Sequence, residues 1–178
     1  MRRARLAKTA ATASAVALAW LLPGEARAAG ADKAGRVMIN VKIGPAINID
    51  DTRTQFALSP EFAVALDRKY NAYLGLGPQF QFGDYFTLIN IPLFFEYDIE
   101  LPVKGLFLYP KVNAGLSYWA NTWRYSEKAF FMLEPAFGVK YQFHKNVHVG
   151  GEPIGIPIYL GRIVAVQYHL FAYIGFDF

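Results

Sequence analysis

An all-β protein, an eight-stranded antiparallel up-and-down transmembrane β-barrel, is the architecture this sequence leads one to expect. Three features lead there: an N-terminal export signal, a hydrophobic alternation of period two in eight segments, and a second face built of small and neutral polar side chains.

The chain opens MRRARLAK, with four positive charges at Arg2, Arg3, Arg5 and Lys8. A charge-free stretch of 14 residues follows, 9–22, dominated by Ala, Leu and Val. Pro23-Gly24 interrupts any helix, and Ala26-Arg27-Ala28 puts small residues where a signal peptidase reads them. This is the layout of a secretory signal cleaved after Ala28. An uncleaved anchor is the alternative, but these 14 residues rise only about 21 Å as a helix, against a hydrocarbon core of roughly 30 Å. The expected organisation is a signal peptide over 1–28, a short polar lead over 29–35 and a barrel over 36–178.

Residues 1–28 hold five of the 18 Lys and Arg and one of the 14 Asp and Glu, so the exported chain has 13 of each and no net charge. The basic balance of the whole chain belongs to the signal, and no basic cluster downstream suggests a nucleic-acid partner. Cysteine is absent, which excludes thiol chemistry and disulfides. A content of 54% hydrophobic and 16% aromatic residues is heavy for an exported soluble protein. Yet the longest charge-free run after the signal, 163–176, is interrupted by Gln167, His169 and Gly175 and does not read as a membrane helix.

The apolar residues are instead spaced by two, as a strand with one apolar face requires. In the first segment Val37, Ile39, Val41, Ile43, Pro45, Ile47 and Ile49 alternate with Met38, Asn40, Lys42, Gly44, Ala46 and Asn48. The second sets Phe56, Leu58, Pro60, Phe62 and Val64 against Gln55, Ala57, Ser59, Glu61 and Ala63. The third sets Leu74, Leu76, Pro78, Phe80 and Phe82 against Tyr73, Gly75, Gly77, Gln79 and Gln81. In the fourth, Ile89, Ile91, Leu93, Phe95 and Tyr97 oppose Asn90, Pro92, Phe94, Glu96 and Asp98. The fifth opposes Leu108, Pro110, Val112, Ala114 and Leu116 to Tyr109, Lys111, Asn113, Gly115 and Ser117. The sixth opposes Phe131, Leu133, Pro135, Phe137 and Val139 to Met132, Glu134, Ala136, Gly138 and Lys140. The seventh is weakest, with Val149 and Pro153 against His148, Gly150 and Glu152. The eighth runs Val164, Val166, Tyr168, Leu170, Ala172, Ile174, Phe176 and Phe178 on one parity.

A soluble barrel with its apolar face inward has the same alternation. The second face discriminates: a surface facing water carries many more Lys and Glu than the one or two charges per segment seen here. Small and neutral polar side chains suit the crowded interior of a narrow barrel. The bulky face is then expected to meet lipid. With an even strand number, residues 67–70, 99–105 and 144–146 are expected as periplasmic turns, and 50–54, 83–85, 119–127 and 155–161 as outer loops. Trp119, Trp123 and Tyr125 are expected at the outer membrane–water boundary, where amphipathic rings are favoured. Ligand binding by that aromatic loop is a second reading.

These features resemble the small eight-stranded outer-membrane barrels of the OmpA/OmpX type of Gram-negative bacteria. The likeness covers residues 36–178 and is carried by the alternation, the signal and the ending Tyr173-Ile174-Gly175-Phe176-Asp177-Phe178. The resemblance implies location in the bacterial outer membrane, contact with outer-membrane lipid and lipopolysaccharide, and a monomeric state. It also implies that Phe176 and Phe178 form the assembly signal read by the barrel-assembly machinery. It marks a class of membrane protein and no particular activity. The expected departures are outer loops shorter than in adhesive members and no peptidoglycan-binding domain after Phe178.

Proline recurs in seven of the eight segments, at Pro45, Pro60, Pro78, Pro92, Pro110, Pro135 and Pro153, against the rule that interior strands exclude it. A belt of bulges at similar height is the expected accommodation. The inward parity collects Lys42, Glu61, Glu96, Lys111, Glu134, Lys140 and Glu152. Glu96 with Glu134 suggests an acid–base dyad, but a lumenal network in which opposite charges neutralise one another is the expectation, since unpaired buried charge is costly. His148 and His169 face inward at different heights and His144 lies in a turn, without metal-ligand spacing, and no metal or cofactor is expected. Barrels of this size that modify lipopolysaccharide use a lipid-facing Ser–His pair. Here Ser59 and Ser117 point inward and Ser126 sits in a loop, so no catalytic residues are assigned. The expected function is a non-enzymatic structural or surface-interaction role. A narrow pore is the alternative, disfavoured because side chains fill an eight-stranded barrel.

Overall fold

A computed structural model describes residues 36–49, 53–66, 71–83, 87–120 and 129–178. The expected signal peptide and lead, Trp123, Tyr125, Ser126 and the turn at 67–70 lie outside the described residues. The strands are β1 Val37–Asn48, β2 Thr54–Ala65, β3 Ala72–Leu76, β4 Gln79–Phe82, β5 Thr87–Tyr97 and β6 Ile99–Glu100. They continue with β7 Leu106–Ala120, β8 Ala129–His144, β9 Val147–Gly155, β10 Ile158–Leu160 and β11 Val164–Asp177. The pairs β3/β4, β5/β6 and β9/β10 are single staves interrupted once, so the wall has eight staves, each antiparallel to its neighbours. The last stave returns to the first: β11 pairs with β1, and Val37 N and Phe178 N each donate to the other's carbonyl, at 3.1 and 2.9 Å. Closure leaves no free sheet edge.

Period two in sequence becomes inside and outside in space. Burial alternates residue by residue along β8 and β11. The outward set is apolar and open, with Leu116 at 69%, Leu93 at 61% and Phe56 at 54% exposure, while Lys42, Glu96 and Lys140 lie inside. A belt of large apolar side chains around the whole wall far exceeds the patches a soluble monomer tolerates, so its medium is lipid. The apolar-cored soluble barrel is excluded.

Two loop expectations are corrected. Residues 155–161 are not an outer loop: β9 reaches Gly155, and β10 pairs with both β8 and β11. The periodicity hides this because β9 bulges. Phe137 and Val139 of β8 face Ile154 and Gly151, so β9 spends one extra residue there. Pro153 and Ile154 both point outward, and the inward set resumes one step late at Gly155 and Tyr159. Likewise β7 extends through Trp119 to Ala120 instead of yielding to a loop at 119.

The prolines do not form a belt of bulges; only Pro153 lies at one. The others sit where ladders already lapse. Alternate N–H groups along a strand reach the same neighbour. Leu66 N donates to Ala72 O, so the same alternation would have residue 60 donate to Pro78 O. Pro60 cannot, Pro78 cannot reciprocate, and the rung is missing where β3 gives way to β4. The Ser59 hydroxyl donates to Pro78 O instead, at 3.2 Å. Pro92 abuts the same break, its carbonyl accepting from Gly77 N at 3.1 Å. Pro110 falls in the gap between the β5–β7 and β6–β7 ladders, and Pro135 faces Ile156 in the gap between β9 and β10.

Candidate functional site: the barrel interior

The inward positions build a stack of layers along the barrel axis. At the end near Val37 and Phe178, His148 lies between two acceptors, with Nδ1 at 3.1 Å from Asp177 Oδ2 and Nε2 at 2.9 Å from Asn40 Oδ1. Beside it Lys140 donates to Glu96 Oε1 at 2.7 Å and to both carboxylate oxygens of Asp98, at 2.9 and 3.0 Å. The Lys140 ammonium also stands 5.2 Å from the Tyr73 ring centre and 5.3 Å from that of Tyr109.

The next layer crosses the lumen. Lys42 pairs with Glu152 and, at 2.9 Å, with Glu61 Oε2, while Lys111 pairs with Glu61 Oε1 and lies 3.6 Å from Glu152 Oε1. Two ammonium groups and two carboxylates thus form a closed tetrad drawn from β1, β2, β7 and β9. Asn40 Nδ2 donates to Glu61 at 3.3 Å and Tyr109 O–H to Glu152 at 3.2 Å. Aromatic rings shield the ammonium groups: Lys111 Nζ is 3.9 Å from the Phe94 ring centre and Lys42 Nζ 5.2 Å from that of Tyr173. These rings need room beside the wall. A Cβ on Gly138 would strike the Tyr109 ring and one on Gly150 the Tyr173 ring, so glycine at both positions lets the tyrosines lie across the lumen.

Above the tetrad, Glu134 Oε1 meets His169 Nδ1 at 2.7 Å and Glu134 Oε2 accepts from Asn113 Nδ2 at 2.9 Å. A neutral network continues upward. Tyr159 O–H donates to Gln167 Oε1 at 2.9 Å and accepts from Gln81 and Asn90, each at 3.3 Å. An apolar cluster of Leu88, Trp119, Phe130, Met132, Tyr159 and Ala165 lies beyond it, toward the far end. Trp119 is therefore not at the membrane boundary. It points into the barrel at 2% exposure, its ring centre 4.6 Å from Phe130 and 5.4 Å from Tyr159, and Nε1–H donates to Ser117 Oγ at 3.0 Å. Parity forces this, since Trp119 shares the inward face of β7 with Lys111, Asn113 and Ser117.

The structure places all seven inward charges read from the sequence inside the barrel. It joins Lys42, Glu61, Lys111 and Glu152 in one group and Glu96 with Lys140 in another. Glu96 and Glu134 have different partners, Lys140 for one and His169 with Asn113 for the other, so they do not share a proton-transfer site. Asp98 joins Glu96 on Lys140, His148 contacts Asp177 and His169 contacts Glu134, although sequence reasoning did not enlist these four in the network. The parity of Asp98 with Glu96 and of Asp177 with Tyr173 was the available signal. Among the described residues no cluster of three or more His, Asp or Glu is arranged to hold a metal ion. The terminal aromatics Phe176 and Phe178 both face outward.

No family model matches the chain, and no curated protein matches it. Solved structures do match. The N-terminal β-barrel domain of Pseudomonas aeruginosa OprF is 14% identical with a TM-score of 0.59, covering 83% of this chain and 100% of that one. Neisserial surface protein A is 14% identical with a TM-score of 0.61, over 80% and 96% of the two chains. The outer-membrane enzyme PagL is 10% identical with a TM-score of 0.52, over 78% and 97%. The chain thus has the fold of the small eight-stranded outer-membrane barrels.

Proposed function

We propose that the protein is an integral outer-membrane barrel with a closed interior and a non-enzymatic structural or surface-interaction role. The lumenal tetrad carries this reading. Lys42, Glu61, Lys111 and Glu152 bridge four staves across the lumen, with charged layers below and an amide network and apolar cluster above. Such a cross-section leaves no continuous column of water. Fold alone does not choose a role, because an enzyme and surface proteins share it. The serines argue against the enzyme: Ser59 and Ser117 are buried inside, engaged with Pro78 O and Trp119 Nε1, so neither offers a lipid-facing nucleophile. In this reading the wall contacts outer-membrane lipid and lipopolysaccharide, the barrel is monomeric, and Phe176 with Phe178 engages the barrel-assembly machinery. An N-terminal signal removed after Ala28 delivers the chain to the envelope.

The test has two arms. The protein should fractionate with outer membranes and migrate differently in unheated and heated detergent gels, and recovery as a soluble periplasmic monomer would end the membrane reading. Reconstituted in planar bilayers it should give negligible steady conductance; large, stable channels would replace the closed barrel with a narrow pore.

A further inference from the structure

The wall has a weak seam. Val37 N and Ile49 N donate across to β11, so residue 45 would donate to Leu170 O by the same alternation. Pro45 has no N–H, and the β1–β11 ladder lapses between the pairs Ile43–Ala172 and Ala46–His169. On its other side Leu170 falls in a register shift of the β11–β9 ladder, between His169 and Phe171. Leu170 therefore has a place in neither ladder. Its carbonyl closes over Gly44, so near that any Cβ there would strike it.

At this lapse the outer wall opens into a groove of about 700 Å³, within the size range of small-molecule sites. Its sides are Ile43, Pro45, Phe56, Leu170 and Ala172, all apolar. Gly44, Thr54, Gln55 and Phe171 complete the lining, so the groove runs along β1 on the outer face, between Phe56 of β2 and Leu170 of β11. Ile43, Phe56 and Leu170 continue into the exposed apolar belt.

We infer that this fissure along β1, flanked by Phe56 and Leu170, is a binding site for a single acyl chain of a membrane lipid. The occupant follows from the medium and the lining. The fissure opens to hydrocarbon, where water is absent and a polar ligand would lose its hydration without compensation. Phe56 and Leu170 flank a chain laid over Pro45 and Ala172, whereas the smooth belt touches lipid on one side. The small side chain of Ala172 keeps the floor open. The inference rests on the proposed membrane placement, which fractionation tests separately.

The experiment uses the full barrel folded into phosphatidylcholine vesicles doped with a phosphatidylcholine carrying a diazirine on one acyl chain. After photolysis, mass spectrometry maps the labelled residues. Label should concentrate on Ile43, Phe56 and Leu170 rather than on the more exposed Leu93 and Leu116, and should saturate as the doped fraction rises. Ala172→Trp, which fills the fissure with apolar bulk, should abolish the concentrated label, whereas Ala114→Trp on the outward face of β7 should leave it intact. Heat-modifiable mobility confirms that each variant is folded, and the wild-type map and its saturation decide the matter if Ala172→Trp is not. Label spread evenly around the belt, non-saturating label, or label unaffected in folded Ala172→Trp would overturn the site.

Discussion

Replacing Lys111 by Met is the sharpest probe of the interior. The Lys111 side chain is fully buried, pairs with Glu61, approaches Glu152 to 3.6 Å and lies 3.9 Å from the Phe94 ring centre. Methionine keeps the length and a favourable contact with the ring, so packing is nearly conserved. What changes is charge: Lys42 alone must then serve two carboxylates. At 3.6 Å and an effective dielectric of about 20, one such attraction amounts to about 4–5 kcal/mol. Desolvation offsets part of the loss, and the net cost expected for breaking a buried pair from one side is about 3–5 kcal/mol. The assay is urea unfolding from lipid vesicles, read by tryptophan emission and heat-modifiable mobility, with the midpoint multiplied by the slope. Lys111→Met combined with Glu61→Gln rebalances the tetrad and should cost less than the sum of the single changes, by about 1–3 kcal/mol. A loss below about 1 kcal/mol for Lys111→Met, the size of a solvent-exposed pair, together with additive effects, would refute a closed tetrad.

Leu93→Arg, at the middle of β5 on the outward face, should cost about 2–4 kcal/mol in vesicles, whereas a water-facing wall would leave it neutral. His169→Ala leaves the buried Glu134 carboxylate with Asn113 as its remaining side-chain partner, and should destabilise by about 1–3 kcal/mol in the same titration. Gly138→Ala drives a methyl into the Tyr109 ring and should cost about 1–3 kcal/mol, with partial relief when Tyr109→Leu is added. Deleting Phe178 should lower the folded fraction in outer membranes and leave protease-sensitive chain in the periplasm; undiminished insertion would remove Phe178 from the assembly signal.

The wall was legible because its rule is local. Residues two apart share a face, and lipid outside with a crowded lumen inside demands different residues on the two faces, so Val37–Asn48 and Val164–Asp177 read as strands without any knowledge of neighbours. Legibility failed where the local rule changed phase. The bulge at Pro153 shifted the inward set from even to odd positions and made β10 look like a loop. At Trp119 a residue-type preference for the membrane boundary was set against parity, and parity prevailed because β7 continues past it. The charges were assigned to the lumen by parity, but their partners depend on registers around the whole barrel. Lys42 and Glu152 stand 110 positions apart and Lys111 and Glu61 50, and only closure and stagger bring them to one height.

The prolines show how a rule about strands gives way to one about ladders. A closed barrel has no edge on which a missing donor can be hidden, so scattered prolines would each leave a carbonyl in the wall without its partner, at about 1–3 kcal/mol apiece. Here two of the losses are made to coincide. Pro60 and Pro78 oppose each other on a single rung, which loses both of its bonds together, and the Ser59 hydroxyl restores a donor to one of the two carbonyls. Pro92 abuts the same break, and Pro135 faces the gap between β9 and β10. Each gathering point frees a stave to bend, which a narrow, strongly curved barrel needs. Pro45 opposes Leu170 of β11, and the carbonyl it leaves behind, Leu170 O, folds against Gly44 where the groove opens along β1.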